Sequence, residues 1–172
     1  GYMDMAIGSA LLINIKLPKN FNSPYKATGM IDFWQRWHMT LSAFITAYIY
    51  TPFLRSLKDV TFNKAMVATL ITFLIAGLWH GASWMFVLFG LMHGFGIVIN
   101  QYWKKSWKKR LGIKISKTAA WFITFNYINI TFIFFRSNEI EDAFKILKGM
   151  FGLSGINLPV FFNEYLSFMS NF

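Results

Sequence analysis

Long apolar blocks separated by short lysine-bearing loops run along the chain, and the blocks predict helices. Met3 to Ile15 is apolar except for Asp4, Ser9 and Asn14, and is too short to cross a bilayer alone. Lys16 to Thr28 is a loop, rich in the turn-formers Pro18, Asn20, Asn22, Ser23 and Pro24. Met30 to Leu54 reads as one amphipathic, aromatic-rich helix, too polar for a simple span, lying at the interface or lining a cavity. On that helix Asp32 and Arg36 stand four apart and can pair, and Trp34 shares a face with His38.

Ala65 to Trp79 is almost unbroken apolar sequence that runs into His80-Gly81. As a helix, fifteen such residues rise about 22 Å, less than the roughly 30 Å of bilayer hydrocarbon. With Lys64 at the cytoplasmic face, His80 stops inside the membrane and Gly81 lets the chain turn there, a re-entrant arrangement. Ala82 to Gln101 is a full-length span that carries His93. Thr118 to Phe135 is another, ending at Arg136. Asn138 and Glu141 have the spacing of a capping box for an amphipathic helix over 139–151. Ile156 to Phe172 is apolar and ambiguous. The expected fold class is therefore all-α: a polytopic transmembrane helical bundle with amphipathic or re-entrant helices. The chain opens as if within a helix, so residues 1–172 are expected to form a single membrane-embedded catalytic fragment, truncated, with its N-terminal helices missing.

Composition sharpens this picture. Hydrophobic residues make up 55% of the 172 residues and aromatic ones 20%, while charged residues fall to 14%, against roughly 25% in soluble domains. A bilayer is the natural solvent for so much aromatic surface. The net charge of +10 raises nucleic acid as a partner, but placement argues against it. The basic residues cluster between apolar runs, most densely at Lys104, Lys105, Lys108, Lys109, Arg110, Lys114 and Lys117. That is the pattern of cytoplasmic loops in membrane proteins. The chain has no cysteine, which removes disulfides, thiolate catalysis and Cys-based zinc sites.

Candidate chemistry gathers at two histidines in tryptophan-rich apolar sequence, Trp37-His38 and Trp79-His80-Gly81. An ionisable group inside a membrane segment marks a functional site by default. Imidazole titrates near neutrality and can take a proton from a hydroxyl and return it. Each histidine also has a plainer role open to it: His80 satisfied by a backbone carbonyl at a helix end, and His38 within an interfacial aromatic belt. His93, near Gly90, Gly94 and Gly96, is expected to serve helix packing. Ser83 lies three residues after His80 and Ser42 four after His38, but no carboxylate is close in sequence to orient either histidine. No H-x-x-x-H or H-E-x-x-H spacing occurs, so no metal site is expected.

Four motifs in order then carry a family resemblance. Gly1-Tyr2-Met3-Asp4-Met5-Ala6-Ile7-Gly8, Asn20-Phe21-Asn22-Ser23-Pro24-Tyr25, the run from Asp32-Phe33-Trp34 to Leu41-Ser42, and Gly77-Leu78-Trp79-His80-Gly81 resemble the membrane-bound O-acyltransferase family, alginate O-acetyltransferase type. Phe134-Phe135-Arg136, with Ala143 and Met150-Phe151 after it, resembles that branch's following segment. The run from Thr46 to Arg55 departs from the branch's pattern.

The resemblance implies a polytopic enzyme with a central tunnel. Its catalytic histidine falls on His80 and its second signature histidine on His38. Trp79, Trp37, Arg36 and Asp32 become candidate substrate-binding residues, Asp32 through positioning Arg36. The implied reaction moves an acetyl group from a cytoplasmic thioester donor, acetyl-CoA or another acyl thioester, to hydroxyls of an extracytoplasmic polysaccharide. No bound cofactor is implied. The implied partners are the lipid bilayer and either the polysaccharide acceptor or a periplasmic or extracellular acetyltransferase. The implied location is the bacterial inner membrane, crossed several times. Three other readings stay open: D-alanyl transfer to teichoic acid from a carrier protein, a non-enzymatic transporter or channel module with histidines relaying protons, and a non-catalytic membrane scaffold that docks a partner through its basic loops.

Overall fold

A computed structural model describes residues 2–107, 110, 112–153 and 155, and every described element is helical. The chain divides into two compact units, Gly1–Arg136 and Ser137–Phe172. The apolar tail 156–172 lies outside the described residues.

The first unit is organised by an antiparallel hairpin. Helix α5 (Phe62–His80) and helix α6 (Trp84–Tyr102) are each 19 residues. Thr61 caps α5 by accepting from the Lys64 N–H at 3.3 Å. Ser83 caps α6 by accepting from the Met85 N–H at 3.2 Å. Both caps satisfy amide donors that a helix start leaves orphaned. Glycine sets how closely the two helices approach. A Cβ added at Gly77 would sit 3.1 Å from the Cα of Gly90, and one added at Gly90 would sit 3.0 Å from the Cα of Gly77. At the other end the Tyr102 hydroxyl donates to Asn63 Oδ1 at 2.8 Å. A π-helical turn, Trp103–Trp107, extends α6.

Helix α7 (Lys117–Arg136) packs antiparallel to α6. The Tyr127 hydroxyl donates to the Met92 carbonyl at 2.6 Å, and further along α7 Phe135 meets Phe86 and Phe89. Among the described residues three helices are long and apolar enough to cross a membrane: Phe62–His80, Trp84–Ser106 and Lys117–Arg136. The second and third correspond to the full spans expected over 82–101 and 118–135; the first, expected as a fifteen-residue re-entrant segment, starts at Phe62 because Thr61 caps it there, and is 19 residues long. Helix α1 (Tyr2–Leu12) has no buried residue.

The segment 30–54 differs from expectation. It is a chain of short pieces: α2 (Met30–Trp34), a turn, α3 (Met39–Ile45), a π-helical turn (Thr46–Tyr50) and α4 (Thr51–Ser56). The break comes from the loop before it, which takes over backbone groups that a continuous helix would use internally. The Asn22 N–H donates to the Arg36 carbonyl at 2.8 Å, and the Met39 N–H donates to the Asn20 carbonyl at 2.9 Å. Asn20 Oδ1 also accepts from the Thr40 N–H and hydroxyl, at 3.1 and 3.0 Å. Between these contacts His38 adopts a left-handed conformation, φ 45° and ψ 53°. Trp34 and His38 therefore do not share a helix face.

In the second unit α8 (Ile140–Met150) forms where an amphipathic helix was expected, but its start is shifted. Glu139, not Asn138, is the N-cap, and no side-chain cap bond forms. The capping box requires its first residue at the N-cap, so the one-residue shift dissolves it.

Candidate functional site

The clamp between loop and helix comes first. Asp32 Oδ1 accepts from Arg36 Nε at 2.7 Å, and Asp32 Oδ2 accepts from the Thr28 N–H at 3.1 Å. Arg36 Nη1 reaches the Asn22 carbonyl at 3.4 Å. The ion pair expected from spacing thus forms, and its further bonds fix the loop that breaks the helix. Trp37 lies stacked on Phe33, with ring centroids 5.6 Å apart, and meets Phe21 edge-on at 4.9 Å. Phe33 is fully buried, so Trp37 is held as part of a packed aromatic layer.

His93 is the buried pivot of the unit, 1% exposed in the middle of α6. Its Nδ1 accepts from the indole N–H of Trp34 at 3.1 Å. Its Nε2 lies 3.0 Å from the Thr131 hydroxyl oxygen. That hydroxyl donates its one proton to the Ile128 carbonyl at 2.7 Å, so it accepts from His93 Nε2–H. The result is a neutral imidazole with both nitrogens used, joining α2, α6 and α7. This is the packing role expected of His93.

His80 is different. It ends α5 half-buried, and neither ring nitrogen has a protein hydrogen bond among the described residues. Four aromatic rings surround it: Trp79 at 5.0 Å, Phe86 at 6.0 Å, Phe89 at 5.9 Å and Phe135 at 5.1 Å. Gly81 follows at φ 156°, and a Cβ there would meet the Phe86 ring at 2.9 Å. The tight exit keeps Phe86 against His80. Trp79 is 66% exposed.

His38 has a buried Nδ1 without a hydrogen-bond partner among the described residues. Its left-handed backbone is costly for a residue with a Cβ, and such strain collects at functional sites. The imidazole lies 5.9 Å from the Phe21 ring. A run of rings joins the two histidine motifs. His80 meets Phe89, Phe89 meets Phe132 at 6.0 Å, and Phe132 meets Trp37 at 5.3 Å.

Phe89, Phe132 and Thr131 were not singled out from sequence. Phe86 and Phe89 on α6, and Phe132 and Phe135 on α7, sit three apart, the spacing of one helix face. That spacing was the available signal, and in sequence it reads only as apolar filling.

The serines near the histidines are occupied. The Ser83 hydroxyl caps α6, and the Ser42 hydroxyl reaches the carbonyls of Trp34 and Trp37 at 3.2 and 3.3 Å. Two hollows flank Trp34 and Gln35. One, of about 290 Å³, is lined by polar groups including Thr46, Thr69, Thr72 and Gln101. The other, more open and about 640 Å³, extends to Arg55. Neither His38 nor His80 is among their lining residues.

The described residues form an all-helical protein with three helices long and apolar enough to cross a membrane and a pair of tryptophan-histidine motifs joined by aromatic rings. The model of the MBOAT, membrane-bound O-acyltransferase, family matches residues 1–139, and the chain belongs to that family. It is 44% identical to the peptidoglycan O-acetyltransferase of Helicobacter pylori over 171 residues, 99% of this chain and 32% of that protein. It is 32% identical to the "Probable alginate O-acetylase AlgI" of Azotobacter vinelandii over 151 residues, 88% of this chain and 29% of that protein. With the teichoic acid D-alanyltransferase of Streptococcus thermophilus it shares 33% identity over 168 residues, 86% of this chain and 40% of that protein. The chain spans about a third of the length of these curated relatives.

Proposed function

We propose that the chain carries the histidine site of an O-acetyltransferase in a bacterial inner membrane, crossed several times. The enzyme moves an acetyl group from a cytoplasmic thioester, acetyl-CoA or another acyl thioester, to hydroxyls of an extracytoplasmic glycan. The observation that carries this reading is His80: an imidazole at a helix end, walled by four aromatic rings and holding no protein hydrogen bond among the described residues. Its ring nitrogens are free to act on a substrate, unlike those of His93.

In the proposed step the acceptor hydroxyl attacks the thioester carbonyl while His80 takes its proton. The tetrahedral intermediate collapses, the C–S bond breaks, and the leaving thiolate takes the proton from His80. The acyl ester and the free thiol are the products. His38 orients the acceptor from the far end of the aromatic run. The indole N–H of Trp79 has no protein acceptor among the described residues and is the nearest candidate to hold substrate oxygen; Arg36 and Asp32 hold the loop over 20–28, whose Phe21 packs against Trp37. Peptidoglycan is the first acceptor to test, on the strength of the 44% identity to a peptidoglycan O-acetyltransferase. Acceptor glycan or a partner acetyltransferase outside the membrane completes the route.

The second reading, D-alanyl transfer from a carrier protein's thioester to teichoic acid, is favoured by relatives of that name at 33% and 29% identity. The test is transfer of radiolabelled acetyl from acetyl-CoA to envelope glycan, in membranes holding the full-length protein or its His80→Ala variant at equal level. Label in the first and none in the second is the expected result. Unchanged label in the variant overturns the role of His80. D-alanyl transfer in place of acetyl transfer moves the assignment to the second reading.

A further inference from the structure

A third hollow, of about 660 Å³, lies where the end of α6 and the start of α7 come together with residues 28–30. Ile99, Ile113, Ile115 and Ile123 supply apolar wall, and Trp103, Lys104 and Lys114 also line it. Ile99 and Ile123 are more than half exposed, at 52% and 58%. On membrane-length helices such faces meet acyl chains, not water.

The charge here has no counterpart among the described residues. No Asp or Glu occurs from Val60 to Asn138. Lys105 places its ammonium over the Phe62 ring, 3.7 Å from the centroid. Lys104 and Lys114 are exposed and have no ion-pair partner among the described residues. Two unpaired ammonium groups beside an apolar groove, at the helix ends that bear the lysine run, are complementary to a phosphate with a hydrocarbon tail. Trp103 adds the amphipathic ring that favours the headgroup level.

We propose that this groove binds an anionic phospholipid, its phosphate between Lys104 and Lys114 and one acyl chain along the isoleucine wall. The site is separate from the histidine motifs, and the proposal rests on α6 and α7 being membrane helices, not on the acyl-transfer reading. A nucleotide phosphate would satisfy the lysines but not the exposed isoleucines, so the lipid is the better fit.

The experiment uses the full-length protein purified in neutral detergent. Retained lipid is read by native mass spectrometry, and the melting temperature is read with added phosphatidylglycerol, phosphatidylcholine of the same chains, inorganic phosphate or coenzyme A. Phosphatidylglycerol alone should remain bound and raise the melting temperature. In the Lys104→Gln/Lys114→Gln variant its retention should fall roughly tenfold or more. A Lys16→Gln/Lys58→Gln control removes the same charge elsewhere and should retain lipid like the parent. Equal retention of the two lipids, equal loss in both double variants, or displacement by phosphate or coenzyme A overturns the proposal. Should the groove variant fail to fold, Ala120→Phe fills the hollow with both lysines intact. Lipid should then be lost, and unchanged retention overturns the site.

Discussion

The indole N–H of Trp34 donates to Nδ1 of His93 at 3.1 Å, across 59 residues of sequence. This bond ties the short helix before the first signature histidine to the centre of a membrane-length helix. With Thr131 on the other ring nitrogen, it makes His93 a strut that holds the layer in which Trp37 lies. Trp34→Phe keeps the ring packing against Phe73 but deletes the donor. A buried acceptor left unpaired costs about 1–3 kcal/mol. Thermal unfolding in detergent should show a lower melting temperature for Trp34→Phe, and a smaller further loss when Thr131→Val is added than Thr131→Val causes alone.

The hairpin of α5 and α6 closes on glycine. Gly77→Ala or Gly90→Ala places a methyl against the opposing helix backbone, where neither partner has a side chain to move. Each should cost about 1–3 kcal/mol, the usual size of overpacking, and should lower the yield of folded protein in membranes. Gly8→Ala has nothing within 4 Å of its new methyl and should be neutral or slightly stabilising. Comparable losses at Gly8 and Gly77 would refute the close-approach argument.

His38 has two separable properties, a left-handed backbone and an imidazole. Glycine adopts that backbone without the Cβ penalty, and asparagine tolerates it better than most residues. His38→Gly and His38→Asn should therefore melt higher than His38→Ala, by the equivalent of about 1 kcal/mol. All three should lose transfer activity if the ring orients the acceptor. Retained activity in His38→Asn would make His38 a backbone device only.

The Asp32–Arg36 pair is only about one-third exposed on each side and is tied into the loop by the Thr28 and Asn22 bonds. A double-mutant cycle with Asp32→Asn and Arg36→Gln should give a coupling of about 1 kcal/mol, near the upper end for exposed pairs. The coupling should shrink in high salt, as screening requires. Proteolysis of the loop over 20–28 should quicken in either single variant, because the carboxylate and guanidinium hold that loop's backbone.

Two of the membrane-length helices, α6 and α7, were legible as full spans because each is a long apolar run bounded by charge, glycine or a capping residue; α5 was legible only as a shorter re-entrant segment, because its first turn, Phe62-Asn63-Lys64, carries polar residues. In lipid, a helix satisfies its own backbone, so apolar length alone decides that element. The Asp32–Arg36 pair was legible for a similar reason: both partners lie on one turn. The wrongly continuous helix over 30–54 shows where such local reasoning stops. Its residues favour a helix, yet Asn20 and Asn22, from a preceding loop, take the backbone groups at Arg36, Met39 and Thr40. No periodicity within 30–54 records that competition.

By itself the sequence determined the all-helical membrane class, the two tryptophan-histidine motifs and the family resemblance, since apolar run length and short motifs are local properties. Tertiary structure decided which imidazole is used up and which is left open. His93 finds its partners on α2 and α7, at Trp34 and Thr131, whereas His80 meets aromatic rings and no hydrogen-bond partner among the described residues. Hydrogen-bond satisfaction depends on groups brought from distant segments, and only packing brings them together.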